Sequence, residues 1–158
     1  MKVLLAIDGS ACSDSAVTEV ASRPWPVGTE FRVLSAYELP MVPTPEAWAI
    51  SPEYYDAIED AARAHAQSAV EAGRLKLTDK FGDSCVTTTA IVPGSAKSVI
   101  LDHAEAWGAD LIVVGSHGYG AWERLLLGSV SQAVVSHAKC SVEVVRCRAQ
   151  QKHNTVAA

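Results

Sequence analysis

Gly115, Gly118, Gly128 and Ser129 follow the spacing G-x2-G-x9-G-S, and Ser131 comes two positions after Ser129. Residues of these types at this spacing can do anion chemistry. Glycines let backbone amides approach a ligand closely and can adopt φ > 0. A helix beginning at Gly128-Ser129 would offer N–H groups with no intrahelical acceptor and the positive end of its dipole. The hydroxyls of Ser129 and Ser131 would add two donors. Phosphate suits such a site, although the same residues also suit an ordinary glycine-rich loop with an N-capping serine. The chain has no G-x4-G-K-[ST] element, so amides and a divalent ion would have to meet the phosphate charge. Asp8 is the second candidate. A carboxylate does not face phosphate without a metal, so ribose or bound Mg2+ is its expected partner, unless it only starts a turn. No nucleophile–base pair and no carboxylate pair is placed for efficient attack by water.

The glycine stretch must join a buried strand to a helix. Asp110 to Val114 is an apolar run before it, and Val130 to His137 is an amphipathic segment after it. The carboxyl end of a strand is where open α/β sheets bind ligands. Val3 to Ile7 reads as a central parallel strand buried on both faces. A turn follows from Asp8, then a helix over Ser15 to Ser22 capped by Ser13 or Asp14 and stopped by Pro24 and Pro26. Phe31 to Tyr37 is the second strand. The stretch Glu38 to Pro52, broken by four prolines and holding Trp48, reads as a long loop, either a lid or a tolerated insertion. Glu53 to about Lys80 is helical, with Tyr55, Ile58, Ala62, Ala66, Ala69 and Leu75 as a small-sided stripe close to the sheet and His65 on the surface. The threonine-rich strand Val86 to Val92 suits a half-exposed edge. A helix over Ala96 to Trp107, with His103 as a packing residue, stops at Gly108. The last strand is Val142 to Val145. Alternation of this kind demands a parallel sheet with right-handed crossovers and helices on both faces.

The 158 residues fit one domain, assigned to 1–147, with 148–158 as a frayed tail. A formal charge of −5 argues against nucleic acid as the main partner. No apolar run approaches the ~18 residues of a membrane span, and the N-terminus lacks a signal-peptide h-region, so a cytoplasmic location is expected. The four cysteines, Cys12, Cys85, Cys140 and Cys147, show no C-x-x-C, which disfavours zinc and makes reduced thiols the expectation. Cys12 lies near the proposed ligand edge, as a structural residue or a reactive thiol.

The glycine signature resembles that of the ATP-binding branch of the universal stress protein family. The similarity covers nearly the whole chain. Val3 to Ser10 is similar to the family's first strand and its terminal aspartate; Gly108 to Gly118 is similar to its fourth strand running into the glycine loop. Cys140 to Arg146 is similar to its last strand, without the usual proline near the start. The resemblance implies a Rossmann-like five-stranded parallel sheet of order 3-2-1-4-5 with helices on both faces, and a ligand crevice between strands 1 and 4. It implies ATP, or AMP or ADP, as ligand, with Mg2+ as a candidate cofactor. The implied site residues are Ile7, Asp8, Ala36, Gly115, His117, Gly118, Gly128, Ser129, Val130 and Ser131, with Asp8 on the ribose side and Ala36 at adenine. His117 and Arg124 are candidates to touch phosphate, and Trp122, Leu125, Leu126 and Leu127 could fold a hydrophobic flap or offer a partner surface. The resemblance further implies a homodimer through Val142 to Val145, no membrane partner and a regulatory role in stress.

Two enzyme readings compete with a binding protein. The stretch Asp8 to Ser15 is loosely similar to the S-G-G-x-D-S loop of ATP pyrophosphatases, but it lacks the paired glycines. A dinucleotide oxidoreductase would need G-x-G-x-x-G after the first strand, and Gly118-Tyr-Gly120 is only a fragment of it after the fourth. Slow ATP hydrolysis at most is the expectation.

Overall fold

The computed structural model describes residues 1–38, 51–118 and 127–147. The expectations for Trp48, Trp122, Arg124, Leu125, Leu126 and the tail lie outside these residues. Among the described residues the elements are, in order, β1 (Lys2–Ala6), α1 (Ala11–Ser22), β2 (Glu30–Tyr37), α2 (Pro52–Phe81), a 3-10 turn (Gly82–Ser84), β3 (Val86–Pro93), α3 (Ala96–Trp107), β4 (Leu111–Gly115), α4 (Ser129–His137) and β5 (Ser141–Val145). The sheet has five strands in the order β3-β2-β1-β4-β5, and every pairing is parallel. The order reverses between β1 and β4, which is the topological switch point of such sheets.

Two apolar cores, one on each face, explain why the central strands read as continuous apolar runs. Val3, Leu5, Val33 and Val113 pack with Val17 and Val20 of α1 and Val70 and Leu77 of α2. Leu4, Leu34, Ile112 and Val114 pack with Ile100 and Ala104 of α3 and Val134 of α4. The β3 edge, with its threonines, is half-exposed as the sequence suggests.

Local chemistry sets the helix ends. α1 starts earlier than expected because Ser10, not Ser13 or Asp14, is its cap: Ser10 Oγ accepts from Ser13 N at 3.3 Å. Ser51 caps α2 in the same way, with Pro52 in the first turn, where its missing N–H costs nothing. Gly108 ends α3 in the left-handed region (φ 67°, ψ 49°), which glycine adopts without a Cβ penalty.

The buried line of α2 is Ala66, Val70, Gly73 and Leu77. Leu75, expected on the stripe, is 53% exposed. The helix does lie close to the sheet: a Cβ at Gly73 would sit 3.1 Å from Ile7 Cδ1 and 3.2 Å from Val33 Cγ1. The expectation of reduced thiols throughout is corrected too. Cys12 and Cys147 form a disulfide, while Cys85 and Cys140 are free. The parallel order brings the end of β5 back to the start of α1, a juxtaposition that cysteine spacing does not reveal. Arg23, just past α1, also reaches Glu143 of β5, Nη1 to Oε2 at 2.7 Å.

Candidate functional site

A cavity of about 370 Å3 opens at the carboxyl ends of β1 and β4. All the predicted site residues line it: Ile7, Asp8, Ala36, Gly115, His117, Gly118, Gly128, Ser129, Val130 and Ser131. Sequence reasoning missed Ser13, Leu34, Ala96 and Ile100, which line it as well. Ser13, Ala96 and Ser129 belong to the first turns of α1, α3 and α4. Three helix N-termini therefore converge on one space, each adding positive potential and outward-facing N–H groups. The available signal was that parallel βα units place every following helix start at the carboxyl edge.

The glycines act by close approach, not by unusual φ. None of Gly115, Gly118 and Gly128 has positive φ. A Cβ at Gly118 would lie 2.6 Å from Asp8 Oδ2. At Gly115 it would lie 2.8 Å from the carbonyl carbon of Cys12 and 2.9 Å from its oxygen. At Gly128 it would lie 3.2 Å from the Ser116 oxygen, to which the Gly128 N–H donates at 2.8 Å. That bond pins the two ends of the glycine loop together.

Asp8 is held from several sides. Its Oδ1 accepts from Ser10 N at 2.9 Å, the bond of an Asx-type turn, so the turn role and the site role coexist. Its carbonyl oxygen lies 3.0 Å from His65 Nε2. His65, expected to be only a surface histidine, is exposed yet anchors the aspartate turn to α2.

The serines divide their work. Gly128 occupies the cap position of α4 without a side-chain cap bond, and Ser129 is the first helical residue, so the N-capping-serine reading does not apply. Ser129 is exposed and lines the cavity. Ser131 is buried and donates to the Gly115 carbonyl at 2.6 Å, so its proton supports the loop rather than a ligand. His117 is half-buried, with Nδ1 3.2 Å from Ser116 Oγ. Among the described residues that line the cavity there is no lysine or arginine. The walls are apolar at Ile7, Leu34, Ile100, Val114 and Val130, and the rim is polar at Asp8, His117 and Ser129. This arrangement can hold a flat apolar ring at one end and an anion at the other.

Among the described residues no group of three or more His, Cys, Asp or Glu could hold a metal ion, and no helix is long and apolar enough to cross a membrane. Mg2+ held largely by phosphates commonly takes one or two protein carboxylates, and Asp8 offers one.

Comparison with known proteins agrees with this architecture. Universal stress protein A homolog 2 of Coxiella burnetii is 55% identical over 56 residues, which span 35% of this chain and 37% of that protein. The universal stress protein in the QAH/OAS sulfhydrylase 3′ region of Thermus aquaticus is 33% identical over 144 residues, 91% of this chain and 97% of its own. Among solved structures, the universal stress protein UspA from Lactobacillus plantarum is 29% identical with a TM-score of 0.76, covering 92% of this chain and 97% of that one. A universal stress protein family protein from Arabidopsis thaliana, solved with AMP bound, shares the fold at 17% identity and a TM-score of 0.57, over 98% of this chain and 97% of that one. The model of the Universal stress protein family matches residues 1–146, and with that match over nearly its whole length the chain belongs to the universal stress protein family.

Proposed function

We propose that this chain binds an adenine nucleotide, ATP in particular, in the crevice between β1 and β4, and that it acts as a regulatory stress-response protein rather than as a turnover enzyme. One observation carries the reading: a single cavity gathers apolar walls, the glycine loop and the N-terminus of α4, with the Asp8 carboxylate against Gly118. Adenine fits between Ile7, Leu34 and Val130, with main-chain atoms of Ala36 at its edge. Ribose meets Asp8. Phosphates meet the amides of Gly118 and Ser129 and the Ser129 hydroxyl, with Mg2+ shared between Asp8 and phosphate oxygens. Hydrogen bonds to charged groups contribute about 1.5–3 kcal/mol each, enough to hold a triphosphate without a lysine. The AMP found with the Arabidopsis relative supports an adenine nucleotide as the ligand class.

Among the described residues a single carboxylate, Asp8, lines the cavity, and it already accepts from Ser10 N, so no carboxylate pair is present to activate water. Hydrolysis should therefore run far below the ~10 s⁻¹ typical of enzymes. Two copies pair through β5, the open edge next to the ligand strand β4. The deciding experiment is mass spectrometry of small molecules released from the purified, denatured protein, followed by calorimetric titration of stripped protein with ATP, ADP and AMP. ATP is expected in both. Protein that releases no nucleotide and gives no heat with any of the three sinks the proposal.

A further inference from the structure

Cys12 and Cys147 are separated by 135 residues, yet their Cα atoms lie 4.7 Å apart and their sulfurs are bonded. Cys12 stands in the first turn of α1, next to Ser13 on the crevice wall, and is only 8% exposed. Cys147 lies just past β5 and is half-buried. Ser116 runs between them: its N–H donates to the Val145 carbonyl at 2.7 Å, and its hydroxyl lies 4.0 Å from Cys12 Sγ. The bridge thus closes a seam where the start of α1, the end of β4 and the end of β5 meet.

We propose that Cys12–Cys147 is a thiol–disulfide exchange site, opened by a dithiol reductant, that sets how firmly the end of β5 is held against the crevice. The two sulfurs are not equivalent. Cys147 is the less buried of the two residues, which makes its sulfur the one open to attack. Cys12 sits among first-turn amides that lack intrahelical acceptors, at the positive end of α1, where a departing thiolate is stabilised. A reductant thiolate attacks Cys147 Sγ, the protein S–S bond breaks, and its electron pair leaves on Cys12 sulfur. The reductant's second thiol then attacks its own sulfur in the mixed disulfide and releases Cys147 as thiolate. In sum the dithiol gives up two electrons and two protons and becomes a disulfide, and the protein gains both as two thiols. The Arg23–Glu143 pair remains after the bridge opens, so the loosening is confined to the carboxyl end of the strand. Any effect on nucleotide affinity rests on the binding reading above.

The test needs no nucleotide. Oxidised protein is treated with limiting reduced glutathione, quenched in acid and mapped by peptide mass spectrometry. The glutathione adduct is expected on Cys147 with Cys12 free, in roughly tenfold excess over the reverse. Hydrogen exchange at the Ser116 amide should speed up roughly tenfold in reduced protein and in Cys147→Ser, with the Leu5 and Val113 amides unchanged. Absence of a Cys12–Cys147 peptide after oxidation, an adduct mainly on Cys12, or equal Ser116 exchange in the two redox forms would each overturn the proposal. A separate ATP titration of both forms keeps the two readings apart: no binding in either sinks the nucleotide reading and leaves the exchange site standing.

Discussion

Gly115 and Gly118 stand three positions apart and fail differently when given a side chain. At Gly118 the obstacle is Asp8 Oδ2, so an added Cβ displaces the Asp8 carboxylate from its place in the crevice rather than any main chain. Gly118→Ala should therefore leave the melting temperature nearly unchanged while ATP affinity falls roughly ten- to a hundredfold, the loss of about one charge-assisted bond. At Gly115 the obstacle is the main chain of Cys12, which cannot rotate away. Gly115→Ala should cost about 1–3 kcal/mol of overpacking, at about 2–4 °C of melting temperature per kcal/mol. Calorimetry on both variants checks the pair, and unimpaired ATP binding by Gly118→Ala would place the phosphate site elsewhere. The spacing pointed to these glycines through close approach of backbone to a ligand and positive φ, and φ is positive at none of them. The clashes at Gly115 and Gly118 come from residues more than 100 positions away and could not be read locally. His103 offers a second test. Burial, then the Arg32 cation 3.2 Å away, holds its imidazole below the ordinary 6.5. The unfolded chain therefore takes up this proton first as pH falls. The His103 contribution to stability is complete above about 6.5 and is lost below it. Urea melts at pH 5 and 7.5 should show a smaller pH difference in His103→Gln than in the parent; an equal difference would assign the dependence to other groups.

The elements were legible wherever apolar period and punctuation agreed. The span of α3 is as expected, Ala96 to Trp107, because Pro93-Gly94-Ser95 opens it and Gly108 closes it. α2 was legible as a helix but not in its facing. A stripe of alanines marks a face weakly, since alanine is tolerated on either side, and starting from Tyr55 and Ile58 carried the reading to Leu75 instead of Leu77. The two leucines make a clean comparison. Leu77 is fully buried and Leu75 is 53% exposed. Leu77→Ala should cost about 2–5 kcal/mol, and Leu75→Ala should stay within about 0.5 kcal/mol of the parent. Chemical denaturation measures both, and comparable losses would mean that α2 is rotated about its axis relative to this packing. The start of α1 was misjudged because serines and an aspartate crowd residues 10 to 15 and several can cap; Ser10 prevails because its hydroxyl meets the Ser13 amide.

In the whole molecule the sheet ends in two unlike edges. β3 carries threonines and ends at Pro93, and a polar edge discourages further pairing. β5 carries valines. The Val145 carbonyl faces β4, where it accepts from Ser116. Successive residues of a strand alternate sides, so the Val144 main chain faces the open edge. Val144→Pro should therefore leave the monomer fold intact, as edge strands tolerate proline where the N–H faces outward, yet weaken the proposed dimer by about tenfold or more. Sedimentation equilibrium on parent and variant checks this, and a parent that stays monomeric at tens of micromolar, roughly the range that populates most dimers, removes β5 as the dimer strand. The bond between positions 12 and 147 has a further consequence, a topological one. Everything from 12 to 147 is a closed covalent ring while the bridge is intact. A single proteolytic cut inside that ring opens it without releasing a fragment and adds only the mass of one water. Oxidised protein nicked once inside the ring would migrate as one chain and separate into two only on reduction, so a gel counts such cuts only after its thiols have been freed.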